Sequence, residues 1–512
     1  MSHFAQRCGV HDAAREAACL QTARRIEACG IERVRLGWCD AHGMLRGKTL
    51  MARAAIQALR AGVGMVGTMM LKDTADRTAW KVFEPGGTAD LPRFAGAANL
   101  MLLPDPASFT ALPWQAHTGW LRCQPWFADG TPVPLDTRHV LQQALARLAQ
   151  AGYGLKTGLE VEFHIYRITD TSPQLDPELA GWPGLPPMVE MIHPGYNLQA
   201  EAMIDMADEP LAIVMRTAQA LGLPLQSLEI ELGPSQVEAV FDATDALTAA
   251  DQMVLFRNGV RQALRRAGYH ATFMCRPPFP HIMSSGWHLH QSLVQMGLPH
   301  RSLVQMGLPH RSLAQPPNGQ NACMRDSPAP GTTPLDAQHT LSDAASHWLA
   351  GLLAHARGMT ALCTPTINGF ARFRPNALAP QSVIWGQDNR GALLRVVGGA
   401  GDAATRIENR LGEPAANPYL YMASQIHAGL DGLAQRLQPP QACKAPYAET
   451  GEKIPTSLGE ALAELQADEA LRAGLGEDFV RYFCRIKQHE IERHADAKDK
   501  PDFERREYFA RI

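Results

Sequence analysis

A chain of 512 residues, 46% hydrophobic and 19% charged, exceeds a single compact core and has the composition of an ordinary globular protein of two or more domains. Its formal net charge of -3 and the lack of a basic tract argue against nucleic acid as a partner. Ten cysteines without a C-x-x-C pair, an N-terminus without a signal-type apolar core, and no membrane-length apolar run lead us to expect free thiols, no membrane partner and a cytoplasmic location.

In chain order, residues 11–30 read as an amphipathic helix. Residues 31–50 read as two short strands about a turn at Asp40-Ala41-His42-Gly43. Residues 60–120 are rich in Gly, Pro and small residues and suit a small β-rich domain. A turn at 128–132 and a helix starting after Asp136 place the domain boundary nearby. Beyond it, GLEVEFHIYR (158–167) is a strand and residues 200–221 a helix. LQSLEIELGPSQVEAVF (225–241) reads as two strands joined at Gly-Pro-Ser, followed by a helix over 246–267. ATFMCRPPF (271–279) starts another strand, and HWLAGLLAHARGMTAL (347–362) reads as one long helix. Paired strands interleaved with helices give an α+β fold rather than pure α/β.

The decapeptide SLVQMGLPHR occurs at 292–301 and again at 302–311. It is far shorter than a solenoid unit, and reads as a tandem duplication lengthening a loop insertion that spans 292–335.

Four clusters carry chemistry. In Glu160-Val161-Glu162 two carboxylates share one strand face, either as acidic decoration or with a cation between them. Glu229-Ile230-Glu231 is followed by Glu238, and a hairpin there places Glu231 and Glu238 face to face. His288-Leu289-His290 repeats the spacing with imidazoles, and Arg406-Ile407-Glu408-Asn409-Arg410 alternates plus, minus, plus. Carboxylates with one imidazole suit Mg²⁺ or Mn²⁺ better than zinc. Those carboxylates together with a bound triphosphate overload the site with negative charge, which Arg372, Arg390, Arg395, Arg406 and Arg410 can offset.

Taken in order, GLEVEF (158–163), ELGPSQVE (231–238), ATFM-x-RP (271–277), SGWHLHQSL (285–293), ARFRPNALAP (371–380), Asn389-Arg390, RIENR (406–410) and EPAANPYL (413–420) resemble the glutamine synthetase family. The resemblance runs from about residue 30 to 490. It implies a helical lead (1–29), a small N-terminal β-grasp domain (30–125) and a large catalytic domain (126–512). It also implies a homo-oligomeric ring, commonly a dodecamer, with sites shared between neighbours. Glu162, Glu231 and Glu238 match the ligands of a first metal, and Glu160, His288 and Glu408 those of a second. His290 and Ser292 match nucleotide contacts. Arg372 and Arg410, with Glu162 and Ser284, match the glutamate site. Arg390, Arg395 and Arg406 match the phosphate clamp, with Arg390 and Arg372 in catalytic roles. ATP, glutamate, an amine and Mg²⁺ or Mn²⁺ (two or more per site) are the implied substrates and cofactors.

Three departures concern the amine. Leu378 stands where the family's glutamine-forming members carry a flap glutamate. Met283 replaces a glutamate-binding asparagine, and Trp287 precedes the ligand histidine. The family's ammonium-binding aspartate motif is not found, and Asp73 or Asp76 stands in only by rough position. These changes remove negative charge and add apolar surface, so an organic amine, alkyl or aryl, is expected to meet a pocket at Leu378 and Trp287. The alternatives are an ordinary glutamine synthetase using ammonia and a non-catalytic paralogue.

Overall fold

Two sheets organise the chain, and the larger one positions the site. A computed structural model describes residues 3–181, 183–296, 321–323, 340–374, 378–448 and 451–512. The decapeptide repeat beyond Met296 and most of the loop after it lie outside the described residues.

The first sheet contains β1 (Arg33–Cys39), β2 (Leu45–Met51), β3 (Val63–Val66), β4 (Asn99–Pro104), β5 (Thr110–Ala111) and β6 (Thr118–Trp126). Its order is β2-β1-β6-β4-β3, with β5 on β6. β1 and β6 run parallel; the other pairs are antiparallel. The β1–β2 hairpin turns at the expected residues because the Asp40 carboxylate accepts from the backbone N–H of His42 and Met44, each at 2.9 Å. Gly43 takes a φ of 76°, and a Cβ there would lie 2.6 Å from the Arg257 guanidinium.

The second sheet contains β7 (Tyr153–Asp170), β8 (Met188–Met191), β9 (Leu225–Ile230), β10 (Gln236–Asp245), β11 (Tyr269–Thr272), β12 (Trp287–Gln295), β13 (Trp385–Gln387), β14 (Leu394–Val397) and β15 (Arg406–Gly412). The order is β13-β14-β15-β12-β7-β10-β9, with β8 and β11 also pairing with β7. Only β13–β14 is parallel, so the α+β expectation is met. Among the described residues no helix is long and apolar enough to cross a membrane.

Alternation divides this sheet into a packed face and a polar face. Leu159, Val161, Phe163, Leu289 and Ile407 are buried on the packed face. Each contributes roughly 1.5–3 kcal/mol by burial. Helix Ala246–Arg266 packs Phe256 edge-on to Phe163 at 6.0 Å, and helix Pro418–Gln435 packs Tyr421 edge-on to Trp287 at 5.1 Å. The buried amides on this side are satisfied: Asn409 donates to Gln425 at 2.7 Å, and Gln291 to the same oxygen at 3.1 Å.

Three elements differ from the sequence expectation. The 200–221 helix is two helices, Glu201–Met206 and Asp208–Ala220, because Pro210 lacks an N–H and its ring crowds the preceding turn. The 347–362 helix breaks at His355 into Asp343–Ala354 and Ala356–Cys363. The His355 ring is pinned there between Asp468 (2.8 Å) and Asp431 (3.0 Å). The strand expected from 271 stops at Thr272, where the next N–H, that of Phe273, donates to the Ile512 carbonyl at 3.1 Å instead of to the ladder.

Candidate active site

The polar face is assembled by register. His288 on β12 lies directly opposite Glu160 on β7. Glu238 on β10 lies opposite Glu162, Glu408 on β15 opposite His290, and Arg395 on β14 opposite Glu408. Residues two apart share a face, so Arg406 and Arg410 flank Glu408 on the same side. The hairpin expectation for Glu231 needs one correction: the backbone partner of Glu238 is Glu229, because Glu231 lies past the end of β9, with its N–H on the Gln236 carbonyl at 3.0 Å. The Glu231 carboxyl is diagonal to Glu238 across the hairpin.

Burial makes this cluster electrostatically costly without a cation. Glu162 and Glu238 are held above the usual carboxylate range, first by desolvation and then by neighbouring carboxylates, and Glu231 is raised chiefly by desolvation. Glu160 behaves oppositely: burial disfavours its charge, but hydrogen bonds with His288 and His290 hold it well below that range. Burial, followed by the charge of Arg410, pushes His288 down to about 4, leaving a neutral imidazole with a free lone pair near neutral pH. Its Nδ1 lies 3.5 Å from Glu160, 3.8 Å from Glu408 and 4.0 Å from Glu238; its Nε2 lies 3.8 Å from Glu162.

Two trios, Glu160–Glu238–His288 and Glu160–His290–Glu408, each present three ligand atoms within 4.8 Å of one another. Glu238 Oε1 is buried with no hydrogen-bond partner. An orphaned carboxylate oxygen beside a neutral imidazole fits a hard divalent cation. The trios regroup the residues that the resemblance pairs: Glu238 joins His288, while Glu408 joins His290.

Arginines rim the cluster. Arg395 donates to Glu408 at 3.0 Å and to Asp388 at 2.9 Å. Arg410 donates to Glu408 and, at 3.3 Å, to the Leu378 carbonyl. Arg372 is buried and donates to the Arg410 carbonyl at 2.8 Å. A Cβ at Gly286 would lie 2.7 Å from the Arg372 guanidinium, so this glycine leaves room for the arginine. Arg406 donates through Nε to His290 Nδ1 at 3.0 Å, which leaves His290 Nε2 facing Glu160 at 2.9 Å. Arg390 is exposed on the turn between β13 and β14. Next to the cluster a cavity of about 730 Å³ is lined by Lys156, Glu160, Asp242, His290, Ser292 and Arg406, among others. That volume lies within the range of small-molecule sites. Ser292 Oγ donates to the Thr405 carbonyl at 3.2 Å, and Ser284 Oγ accepts from Arg276 at 3.2 Å.

Some expectations fail. Trp287 does not line an amine pocket: it alternates with His288, points to the packed face and is fully buried against Tyr421. Leu378 is 58% exposed at a φ of 53° beside Arg410. Pro375–Ala377 lie outside the described residues. Asp73 is fully buried and committed within its own chain to Arg493 (2.7 Å) and His489 (2.8 Å). Asp76 remains partly exposed, paired with Arg46 at 2.7 Å.

Sequence reasoning missed Gln236. Its Nε2 donates to Glu162 at 2.9 Å and to Ser285 Oγ at 3.1 Å, while its Oε1 accepts from Gly233 N–H at 2.9 Å. The available signal was its place two residues before Glu238 on one strand face. Lys156 was missed likewise, four residues before Glu160 on β7.

The sequence matches the family model described as glutamine synthetase, catalytic domain, over residues 134–302 and 310–507; the break between the two stretches falls inside the second repeat copy. It is 35% identical to a gamma-glutamylanilide synthase of Acinetobacter sp., over 92% of this chain and 90% of that one. It is 30% identical to a gamma-glutamylethanolamide synthetase of Streptomyces coelicolor, over 95% of this chain and 94% of that one. A solved structure titled "GmaS/ADP complex-Conformation 1" superposes with a TM-score of 0.73 at 27% identity, covering 94% of this chain and 98% of that one.

Proposed function

Because the chain belongs to the glutamine synthetase family, we propose that it is an ATP-dependent ligase joining an organic amine to the γ-carboxylate of L-glutamate by way of γ-glutamyl phosphate. The observation that carries this reading is the single sheet face on which buried carboxylates and imidazoles lie between arginines and a nucleotide-sized cavity.

In this reading two or more Mg²⁺ or Mn²⁺ ions, held in the sets the family resemblance gives, Glu162, Glu231 and Glu238 and Glu160, His288 and Glu408, would supply positive charge to the phosphates when bound. Arg390, Arg395 and Arg406 clamp the phosphates, and His290 and Ser292 hold the nucleotide. Arg372 and Arg410, with Ser284, orient glutamate so that its γ-carboxylate faces the γ-phosphate. This pre-organisation lowers the barrier because the charges are fixed before the reaction begins. Residues 30–125 form a β-grasp domain and residues 126–512 the catalytic domain, in a cytoplasmic ring, the family's dodecamer being the expected form.

The amine half rests on Leu378 and on the names of the relatives. With no carboxylate there to take a proton from an ammonium ion, the amine must reach the acyl phosphate with its lone pair free. An arylamine is uncharged at neutral pH and meets that demand directly. The test is phosphate release by purified protein with ATP, Mg²⁺ and glutamate against ammonium, ethanolamine, an alkylamine and aniline. An organic amine is expected to be fastest; fastest release with ammonium overturns the amine assignment. A γ-glutamyl-transfer assay with hydroxylamine tests catalysis separately.

A further inference from the structure

Arg372 ends a short 3₁₀ helix, Asn368–Arg372, in a segment that belongs to neither sheet. Such a segment is placed by whatever satisfies its backbone donors. Here side chains from distant parts of the sequence do so. Glu413, fully buried, accepts from the Thr366 N–H and from Thr366 Oγ, each at 2.8 Å. Thr366 Oγ in turn accepts from the Gly369 N–H at 2.9 Å. The Ile367 N–H donates to the Tyr508 hydroxyl at 3.4 Å.

Asn368 joins this segment to a second one. Its Oδ1 accepts from the Arg276 N–H at 2.8 Å, and its Nδ2 donates to the Arg276 carbonyl at 3.2 Å and to Glu504 at 2.7 Å. An amide bonded to both backbone groups of one residue fixes that residue closely. The Arg276 guanidinium then reaches Ser284 Oγ at 3.2 Å, while Arg372, four residues past Asn368, donates to the Arg410 carbonyl at 2.8 Å. Arg372 and Ser284 are therefore both tied to one side-chain amide.

Glu504 and Tyr508 lie on the last segment of the chain, helix Lys500–Glu504 and the turn Arg505–Phe509. This arm is anchored independently. The Tyr508 hydroxyl donates to Glu490, which accepts from Lys487 at 3.0 Å, and all three side chains are buried. Glu507 accepts from Arg493 at 2.7 Å. The Ile512 carbonyl accepts from the Phe273 N–H at 3.1 Å and from Thr272 Oγ at 3.0 Å. The arm does not need its bonds to Ile367 and Asn368 to stay in place, since Glu490, Arg493, Thr272 and Phe273 already hold it.

We propose that the C-terminal arm positions the glutamate site: Glu504 and Tyr508, acting through Asn368 and Ile367, set where Arg372 and Ser284 stand and so set the affinity for glutamate. This rests on the reading that those two residues hold glutamate. Glu504 and Tyr508 are positioning residues. Losing either bond lets the loop shift, and a displaced guanidinium loses its in-plane grip on a carboxylate.

The test uses the full-length protein. Calorimetry with Mg²⁺ and a non-hydrolysable ATP analogue gives Kd for glutamate, and phosphate release with glutamate varied gives KM and kcat. Glu504→Ala and Tyr508→Phe are each expected to raise Kd and KM for glutamate about threefold to tenfold, with KM for ATP and kcat at saturating glutamate within about twofold of the unaltered protein. Glu504→Gln, whose oxygen still accepts from Asn368, is expected to restore most of the affinity. Arg506→Ala breaks bonds of the same arm to Asp502 (2.7 Å) and the Pro183 carbonyl (3.1 Å), and is expected to leave glutamate affinity unchanged. Glu504, with its side chain 24% exposed, tolerates truncation should the buried Tyr508→Phe fail to fold. A role in stability alone lowers the Tm and the active fraction without moving Kd. Unchanged glutamate affinity in Glu504→Ala and Tyr508→Phe overturns the proposal, as does an equal loss in Arg506→Ala or an equal rise in KM for ATP. The ligase reading is judged separately, on phosphate release by the unaltered protein.

Discussion

His288 lies directly across the β12–β7 ladder from Glu160, with its Nδ1 3.5 Å from that carboxylate and burial keeping the ring neutral. A neutral imidazole beside a charged carboxylate is a ligand pair rather than a salt bridge. Replacing the ring with alanine is therefore expected to weaken divalent-cation binding and lower phosphate release, each about 100-fold, with the fold retained. Calorimetric Mg²⁺ titration and a steady-state phosphate assay check both halves.

Gln236 acts on Glu162 without belonging to either ligand trio. Gln236→Leu is expected to raise the metal concentration needed for half-maximal activity by 10- to 100-fold, while kcat at saturating metal changes less. Gln236→Glu, which adds a carboxylate beside Glu162, is expected to behave worse in low metal and partly recover in high metal. Metal activation curves for the three proteins decide this.

Leu378→Glu restores a carboxylate at the exposed position beside Arg410. The ratio of kcat/KM for ammonium to that for the best organic amine is expected to rise about tenfold or more. An unchanged ratio in parallel phosphate-release assays would remove Leu378 from amine selection.

Trp287→Ala leaves a large cavity against Tyr421 and is expected to cost about 3–5 kcal/mol. Trp287→Phe is expected to lower the Tm modestly and leave amine preference unchanged, since the ring faces away from the site. Denaturation curves and the amine panel together check that placement.

His355 gives a pH prediction. Burial works against its charged form, but hydrogen bonds with Asp468 and Asp431 raise its pKa. Its stabilising contribution is thus fully present below the unfolded value of about 6.5 and is lost as pH rises through the higher folded value. The Tm difference between the native protein and His355→Asn is expected to be largest near pH 6 and to shrink toward pH 9, as followed by thermal denaturation.

Much of the catalytic sheet was legible because alternation is a local property. Spacing alone put Glu160 with Glu162 on one strand face and His288 with His290 on another, and the order of these segments and that of Glu408 carried the family, while the register that joins the three strands was not legible. Trp287 was misread by adjacency: a neighbour in sequence is on the opposite side of a strand. The committed state of Asp73 was not legible, since Arg493 lies 420 residues away. The breaks at Ala207 and His355 depend on a proline ring and on two distant aspartates, which helical periodicity does not register. Gln236 was overlooked because an amide between carboxylates draws no attention until its bonds are seen.

The packed and polar faces of β7, β10, β12 and β15 meet different demands, and successive residues on each strand answer to one or the other. Tinkering on one side leaves the other nearly untouched. A lineage could retune which amine it accepts by changes around the polar face while drift at Val161, Leu289 or Ile407 is checked only by packing. For directed evolution, the number of positions to vary falls by about half: a library confined to the polar-face positions of these strands samples chemistry while the packed face stays as it is.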